Sequence, residues 1–349
     1  MNETIHIHCG NRNFKMEGSV GSAEKQKGEQ IMRRLIYALI FLLVSGFLLQ
    51  PSAQAADKIR IGLPADAGHF TFPLAQKRGF LKEEGIEAEI ITITGPVANI
   101  ALSNRDIDYY TGFGSGMRSM LQGLPARIVA CYRPLPHFVL LGRPELKSVK
   151  DLKGKIIGVN IGGGPDLVAR LMIKHFGLDP DKDMKFVPGG GTEGVVARMK
   201  QGLMDATSAP VPWDYRAKKM GFNVLARAED LFTYPISGVI AHTKKIKEKP
   251  DEIKRLIRAG IKANRYMREN REGTIPILMS SYRLDQEAGT ALYDSFVKGF
   301  NNDGSLPEDG FRRLIEDTKR VTKVDREVAL SEVADLSILR EAQRELGIK

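Results

Sequence analysis

From Lys58 onward, short apolar runs alternate with helix-like segments, and the alternation starts twice. Residues 59–63 read as a strand, 71–84 as a helix closed by Gly85, and 86–93 as a second strand. A helix at 97–104, a strand at 108–112, a helix at 115–122 and a strand at 127–132 continue the series. This order puts mostly parallel strands in one sheet with helices on both faces. The pattern restarts beyond Asp151 with a strand at 156–160 and a helix that has Pro165 at its first position. Leu167, Val168, Leu171, Met172 and Phe176 make the apolar stripe of that helix. Strands at 184–187, 205–208 and 222–226, with helices at 193–200 and 213–219, complete a smaller unit. After Tyr234 one last strand, 237–242, precedes helices only, the first starting at Pro250. Two unequal α/β units and a helical tail predict two lobes. The apolar segments 138–141 and 237–242 bracket the second unit as candidate crossings. A chain that crosses twice makes a hinge, with a ligand cleft between the lobes.

Ahead of this pattern lies a secretory signal. Met32-Arg33-Arg34 is a short positive segment, 35–49 is an uncharged apolar run, and Ala53-Gln54-Ala55 is an Ala-x-Ala cleavage site. The run is shorter than the about 20 apolar residues of a membrane span; an uncleaved anchor over 32–49 is the alternative. Residues 1–31 are polar and unpatterned and read as a non-native extension from a misassigned start. Cys9, His6 and His8 within it are therefore not taken as a metal site. Cleavage between Ala55 and Ala56 leaves 294 of 349 residues and, by removing six basic and four acidic ones, lowers the formal charge from +10 to +8. The basic residues are spread along the chain, which argues against a nucleic-acid footprint and weakly favours anionic ligands. Cys131 is then the sole cysteine, so no intrachain disulfide is available, and no cysteine stands at the cleavage point to carry a lipid. The expected product is a free, monomeric periplasmic protein.

Several stretches resemble a known family. Residues 72–86 (FPLAQKRGFLKEEGI) are similar to the first helix-and-strand motif of the nitrate/sulfonate/taurine class of ABC-transporter substrate-binding proteins. That class shares its domain with thiamine-pyrimidine-precursor binding and synthesis proteins. Residues 148–159 (SVKDLKGKIIGV) resemble its passage into the second lobe, 202–206 (GLMDA) its G-x-x-D-A turn, and 248–251 (EKPD) the start of its first tail helix. The resemblance covers about 58–300. It implies a type II periplasmic binding-protein fold: two α/β lobes joined by a two-crossing hinge, with C-terminal helices packed on lobe 1. The expected partition is signal peptide 32–55, lobe 1 over 56–143, lobe 2 over 144–236, and a return strand and tail of lobe 1 over 237–349.

Clefts of this kind are built from loops at strand C-termini and from helix N-termini. Four stretches qualify. After the first strand, the resemblance implies ligand contacts at His69 and Phe70, against the alternative of a surface turn. Gly114 and Ser115 begin a helix that also carries Arg118, where free N–H groups favour an anion; Ser115 serves either the ligand or the helix as its cap. Gly163, Gly164 and Asp166 start one helix of the second unit and Gly190, Gly191 and Thr192 another. Neither has the spacing of a phosphate or dinucleotide loop. Asp166 either complements its helix dipole or meets an amine or hydroxyl. Trp213, the only tryptophan, is a stacking surface or a core anchor. Arg133, just past a strand end, is a bidentate partner for a carboxylate or sulfonate, or a surface ion pair.

Catalytic patterns are poor. His69, His137, His175 and His242 form no His-x-x-x-His, and there is no Cys-x-x-Cys and no Gly-x-Ser-x-Gly. No metal, cofactor or enzymatic activity is expected. The reading is of an extracytoplasmic protein that captures a small, anionic organic molecule and delivers it to an ABC permease. A pyrimidine-synthesis type of enzyme and a ligand-sensing module for a membrane receptor remain the alternatives.

Overall fold

The computed structural model describes residues 56–161 and 164–348, with Met32 alone ahead of them. The expected signal peptide beyond Met32, the expected extension before it, and Gly162 and Gly163 lie outside the described residues. The rest is a mixed α/β body with two five-stranded sheets.

The first sheet holds β1 (Asp57–Leu63), β2 (Ile86–Thr92), β3 (Tyr109–Gly112), β4 (Ala126–Arg133) and β10 (Ser237–His242) in the order β2-β1-β3-β10-β4. β1 runs parallel to β2 and β3, and β10 lies antiparallel between β3 and β4. The second sheet holds β5 (Phe138–Gly142), β6 (Ile156–Val159), β7 (Lys185–Pro188), β8 (Ala206–Pro210) and β9 (Asn223–Arg227) in the order β7-β6-β8-β5-β9. Here β6 is parallel to β7 and β8, and β5 lies antiparallel between β8 and β9. Residues 138–141, read from sequence as a crossing at the end of lobe 1, are thus a strand of the second sheet. Pairs such as Leu140 with Ser208 and Ala226 fix them there. The passages between the sheets are 134–137 and 231–236.

The first unit carries α1 (Thr71–Arg78), α2 (Phe80–Glu83), α3 (Gly95–Asn104) and α4 (Phe113–Leu121); the second carries α5 (Gly164–His175), α6 (Thr192–Lys200) and α7 (Trp213–Lys219). The single helix expected over 71–84 is broken at Gly79. That residue takes a left-handed φ of 81° and returns its N–H to Ala75 O and Gln76 O, ending α1.

The tail supplies α8 (Thr243–Glu248), α9 (Pro250–Glu269), α10 (Arg271–Tyr282), α11 (Gln286–Phe296), α12 (Glu308–Thr322), α13 (Leu330–Val333) and α14 (Ser337–Glu345). The stripe Ile253, Leu256, Ile257, Ile261 and Met267 of α9 is fully buried, in one core with Phe72 and Leu74 of α1 and Leu339 of α14. Each such side chain contributes about 1.5–3 kcal/mol by leaving water. Buried polar atoms at this junction are matched: Asn264 of α9 accepts from Thr71 Oγ1 (2.8 Å) and donates to Tyr132 O (3.1 Å) and Asn301 O (2.8 Å). The tail thereby fixes α1, and with it the loop after β1.

Candidate functional site

A cleft of about 870 Å³ opens between the two sheets. Its first wall comes from the loop after β1 and the N-terminal ends of α3 and α4; its second from His137, Phe138 and the start of α5. The passage 234–236 and one face of α12 close the sides.

The start of α4 sets the electrostatics of the first wall. Gly112, at the N-cap position, has no side chain to cap the helix; Phe113 N–H donates to Ile236 O at 3.1 Å, and the next N–H groups of the first turn, Gly114 and Ser115, face the cleft. Ser115 lies inside the first turn rather than at the cap. Its hydroxyl is 2.9 Å from Tyr110 Oη, and Asn99 Nδ2 donates to its carbonyl at 3.0 Å. A side chain at Gly95 would come within 2.5 Å of Ser115 Oγ, so glycine there is required for α3 and α4 to approach this closely. One turn on, Arg118 lines the cleft, and its side chain forms no ion pair or hydrogen bond among the described residues.

The floor has the opposite character. Asp66 accepts from Gly68 N–H at 2.8 Å, stands 3.1 Å from His137 Nε2 and 3.8 Å from His69 Nε2. His69 Nδ1 is 2.9 Å from Thr111 Oγ1. Burial lowers the His69 pKa to about 4 and also lowers that of His137, so both rings are neutral at neutral pH. Burial alone would raise the Asp66 carboxyl; His69, His137 and the Gly68 N–H outweigh it and hold Asp66 well below the usual carboxylate range. The floor therefore presents one carboxylate and two uncharged imidazoles.

Of the residues singled out from sequence, the cleft brings together His69, Gly114, Ser115, Arg118, Gly164 and Asp166. Asp166 is 6% exposed and pairs with Arg170 Nε at 2.7 Å, while Arg170 also reaches Asp181 at 2.6 Å. The others lie elsewhere. Phe70 is fully buried beside Tyr282 and Phe296, with ring centroids 6.0 and 6.2 Å away. Arg133 is fully buried behind the floor, where Nη1 donates to Phe296 O (3.1 Å) and the guanidinium lies 4.6 Å from the Phe300 ring centre. Trp213 is buried at the start of α7 under Arg216. Gly190, Gly191 and Thr192 begin α6 away from this cleft. Cys131 is buried in β4, and burial raises its thiol far above the usual range.

Sequence reasoning passed over Asp66, Asn99, Tyr110, His137 and Tyr234, all of which line the cleft. Asp66 is the N-cap of the short turn Ala67–His69, which the sequence reading did not expect, and Asp is a favoured residue at such a position. His137 gave no signal, because it meets Asp66 from 71 positions away along the chain.

Comparison with known proteins places this geometry. The family profile described as NMT1/THI5 like matches residues 66–273. A Brucella abortus (strain 2308) protein named for a binding role is 29% identical over 275 residues, which span 73% of this chain and 84% of that protein. Among solved structures, a periplasmic sulfonate-binding protein of an ABC transporter from Methylobacillus flagellatus KT superposes with a TM-score of 0.71 at 18% identity, covering 85% of this chain and 97% of that one. The desulfurization enzyme DSZB superposes with a TM-score of 0.61 at 16% identity, covering 83% and 99%. At these identities the likeness speaks for the fold, which is the type II periplasmic binding-protein architecture expected from the resemblance.

Proposed function

Because this chain belongs to the NMT1/THI5-like family, we propose that it is an extracytoplasmic solute-binding protein that captures a small organic anion between its lobes and delivers it to an ABC permease. The reading includes export through the signal over 32–55, cleavage near Ala55, and a free periplasmic monomer. The observation that carries it is the uncapped start of α4 beside an Arg118 with no partner, inside a two-walled cleft. That wall suits a carboxylate or sulfonate. Asp66 at the floor suits a hydrogen-bond donor on the same ligand, and Asp166 is already engaged by Arg170. In lobe terms, the second lobe runs from Phe138 through the second sheet, and the passages 134–137 and 231–236 form the hinge.

A thermal-shift panel of sulfonates, carboxylates and pyrimidines tests this. At 100 times Kd a ligand adds about 2.7 kcal/mol to stability, and Arg118→Ala, by weakening the anionic members about tenfold, is expected to cut their contribution to about 1.4 kcal/mol at the same concentration. A panel with no shift, in protein that responds to a macromolecular partner instead, sinks the proposal. A second reading, as an enzyme, draws on the two neutral histidines flanking the Asp66 carboxylate. Turnover of a panel member, detected as product without a permease, would support it over simple binding.

A further inference from the structure

A second group of charges lies behind the cleft, on both passages between the sheets. Arg133 closes β4 just before the first passage, and Glu229, in the turn Ala228–Asp230 after β9, stands just before the second. The passages are tied by two backbone hydrogen bonds, from Tyr234 N–H to Pro134 O and from Ile236 N–H to Arg133 O, both 2.9 Å. Nε and Nη2 of the buried Arg133 have no hydrogen-bond partner among the described residues, and neither has Oε2 of Glu229. Burial lowers the Arg133 pKa to about 10, and Glu229 is the foremost charge opposing that loss. Burial in turn raises Glu229. The two nevertheless form no direct ion pair.

The tail reaches over this couple. Lys298, in the turn Val297–Gly299 after α11, places Nζ 3.4 Å from Glu229 Oε1 and 2.8 Å from Asp230 Oδ1. On the same segment Ser295 Oγ donates to Asp214 Oδ2 at 2.8 Å, and Glu287 meets Lys219 Nζ at 2.6 Å. Asp214 and Lys219 both belong to α7. One stretch of tail, packed on α10, therefore grips the second lobe at three points outside the two passages.

Resting on the reading of the cleft as a solute site, we propose that residues 287–298 of the tail, with Arg133 and Glu229, form a charged latch that sets the balance between two arrangements of the lobes. Bridging pairs hold only the arrangement in which both partners meet, so they favour the one described here. The unmatched Arg133–Glu229 couple gives the other arrangement something to gain, because closer approach would satisfy a guanidinium and a carboxylate together. No latch residue touches the cleft, yet any change in the balance alters apparent affinity by the fraction of binding-competent protein.

The test needs no ligand. Probes on Val97→Cys and Leu203→Cys, exposed positions in the first and second lobes, report the interlobe distance distribution, while buried Cys131 stays unlabelled. Lys298→Ala is expected to change the ratio of the two distance populations roughly fivefold, or to create the second if the parent shows one. Lys298→Arg should restore the parent distribution. Arg312→Ala, which breaks the exposed Arg312–Glu308 pair on α12 of the tail, should leave it unchanged. Glu229→Gln with Asp230→Asn provides an independent release and should reproduce the shift. Unchanged distances in both release variants, with parental circular dichroism, overturn the latch. A silent ligand panel would count against the solute reading alone, since these distances are read without ligand.

Discussion

The two sheets share one strand order and one set of directions, each with an antiparallel strand in fourth place, yet their equivalent last strands are treated differently. β4 is buried almost end to end, because α9 and α14 of the tail lie against it. β9, in the same position of the second sheet, is mostly half-buried. Equal topology has produced a thick lobe and a thin one, and the difference is the C-terminal tail. The thick lobe backs the loop after β1 and the start of α4 with the tail helices, while the thin lobe supplies a wall with less cover behind it. A cavity in the tail-backed core is the largest expected perturbation. Leu256→Ala on α9 should cost about 2–5 kcal/mol in denaturant unfolding, whereas Val224→Ala on β9 should cost about 1 kcal/mol or less, as a half-buried site that can relax. Equal costs would remove the contrast between the lobes.

Acid should separate the lobes next. His69 is buried in the first lobe with its pKa lowered to about 4 from 6.5, while His175 of the second lobe is exposed. Between those two values the unfolded chain binds the proton that the folded chain refuses, so stability falls as pH drops from 6.5 toward 4 and is fully present above. The loss attributable to His69 is about 3 kcal/mol at most. Asp66 acts in the same direction at still lower pH, since its folded-state pKa is depressed and its contribution disappears as it is protonated. His69→Gln should flatten the curve between pH 6.5 and 4 in chemical unfolding. A variant with the parental slope there would mean that the ring is protonated inside the fold.

How far the sequence foretells this contrast depends on whether the signal is local. The apolar stripe of α9 and the strands β3, β4 and β10 are legible because burial on a face or on both faces leaves a periodic trace. Residues 138–141 are legible as an apolar strand, but not as a member of the second sheet. Membership is decided by pairing with Ser208 and Ala226, far along the chain. Arg133 misleads for a related reason. A strand end reads as the rim of a cleft, while the rings of Phe296 and Phe300 that draw its guanidinium inward come from the tail. The glycine-led starts of α4 and α6 look alike in sequence, and only the first faces the cleft.

Two of the arginines lining the cleft, one from each lobe, sharpen the comparison at the level of binding. Arg118 of the first lobe has no partner among the described residues, whereas Arg170 of the second is held by Asp166 and Asp181 and lies 3.9 Å from the Phe186 ring centre. Arg118→Ala should weaken an anionic panel member about tenfold, the loss of one charge-assisted hydrogen bond, with little change in melting. Arg170→Ala should do the reverse, costing about 1 kcal/mol of stability with under threefold effect on binding. Titration calorimetry alongside melting curves reads both, and an affinity loss confined to Arg170→Ala would transfer the anion wall to the second lobe.

The smallest effect tests whether the thin lobe opens by itself. Gly79 and Gly177 are matched: each ends a helix at a φ of 81°, and a methyl group at either would meet nothing within 4 Å. Alanine at each position therefore carries only the backbone cost of the left-handed region, about 1 kcal/mol. Because the intrinsic costs are equal, any difference in where they register reports on the lobes. Under one cooperative transition, both variants lower global stability alike and the amides of both sheets exchange in step. With a thin lobe that opens locally, Gly177→Ala should speed hydrogen exchange in β6 and β8 several-fold while leaving β1 and β3 at the parental rate. Gly79→Ala should then raise exchange in both sheets, since opening the tail-backed lobe also removes the hinge support of the other. Asparagine, which tolerates this conformation better than alanine, should recover part of each loss.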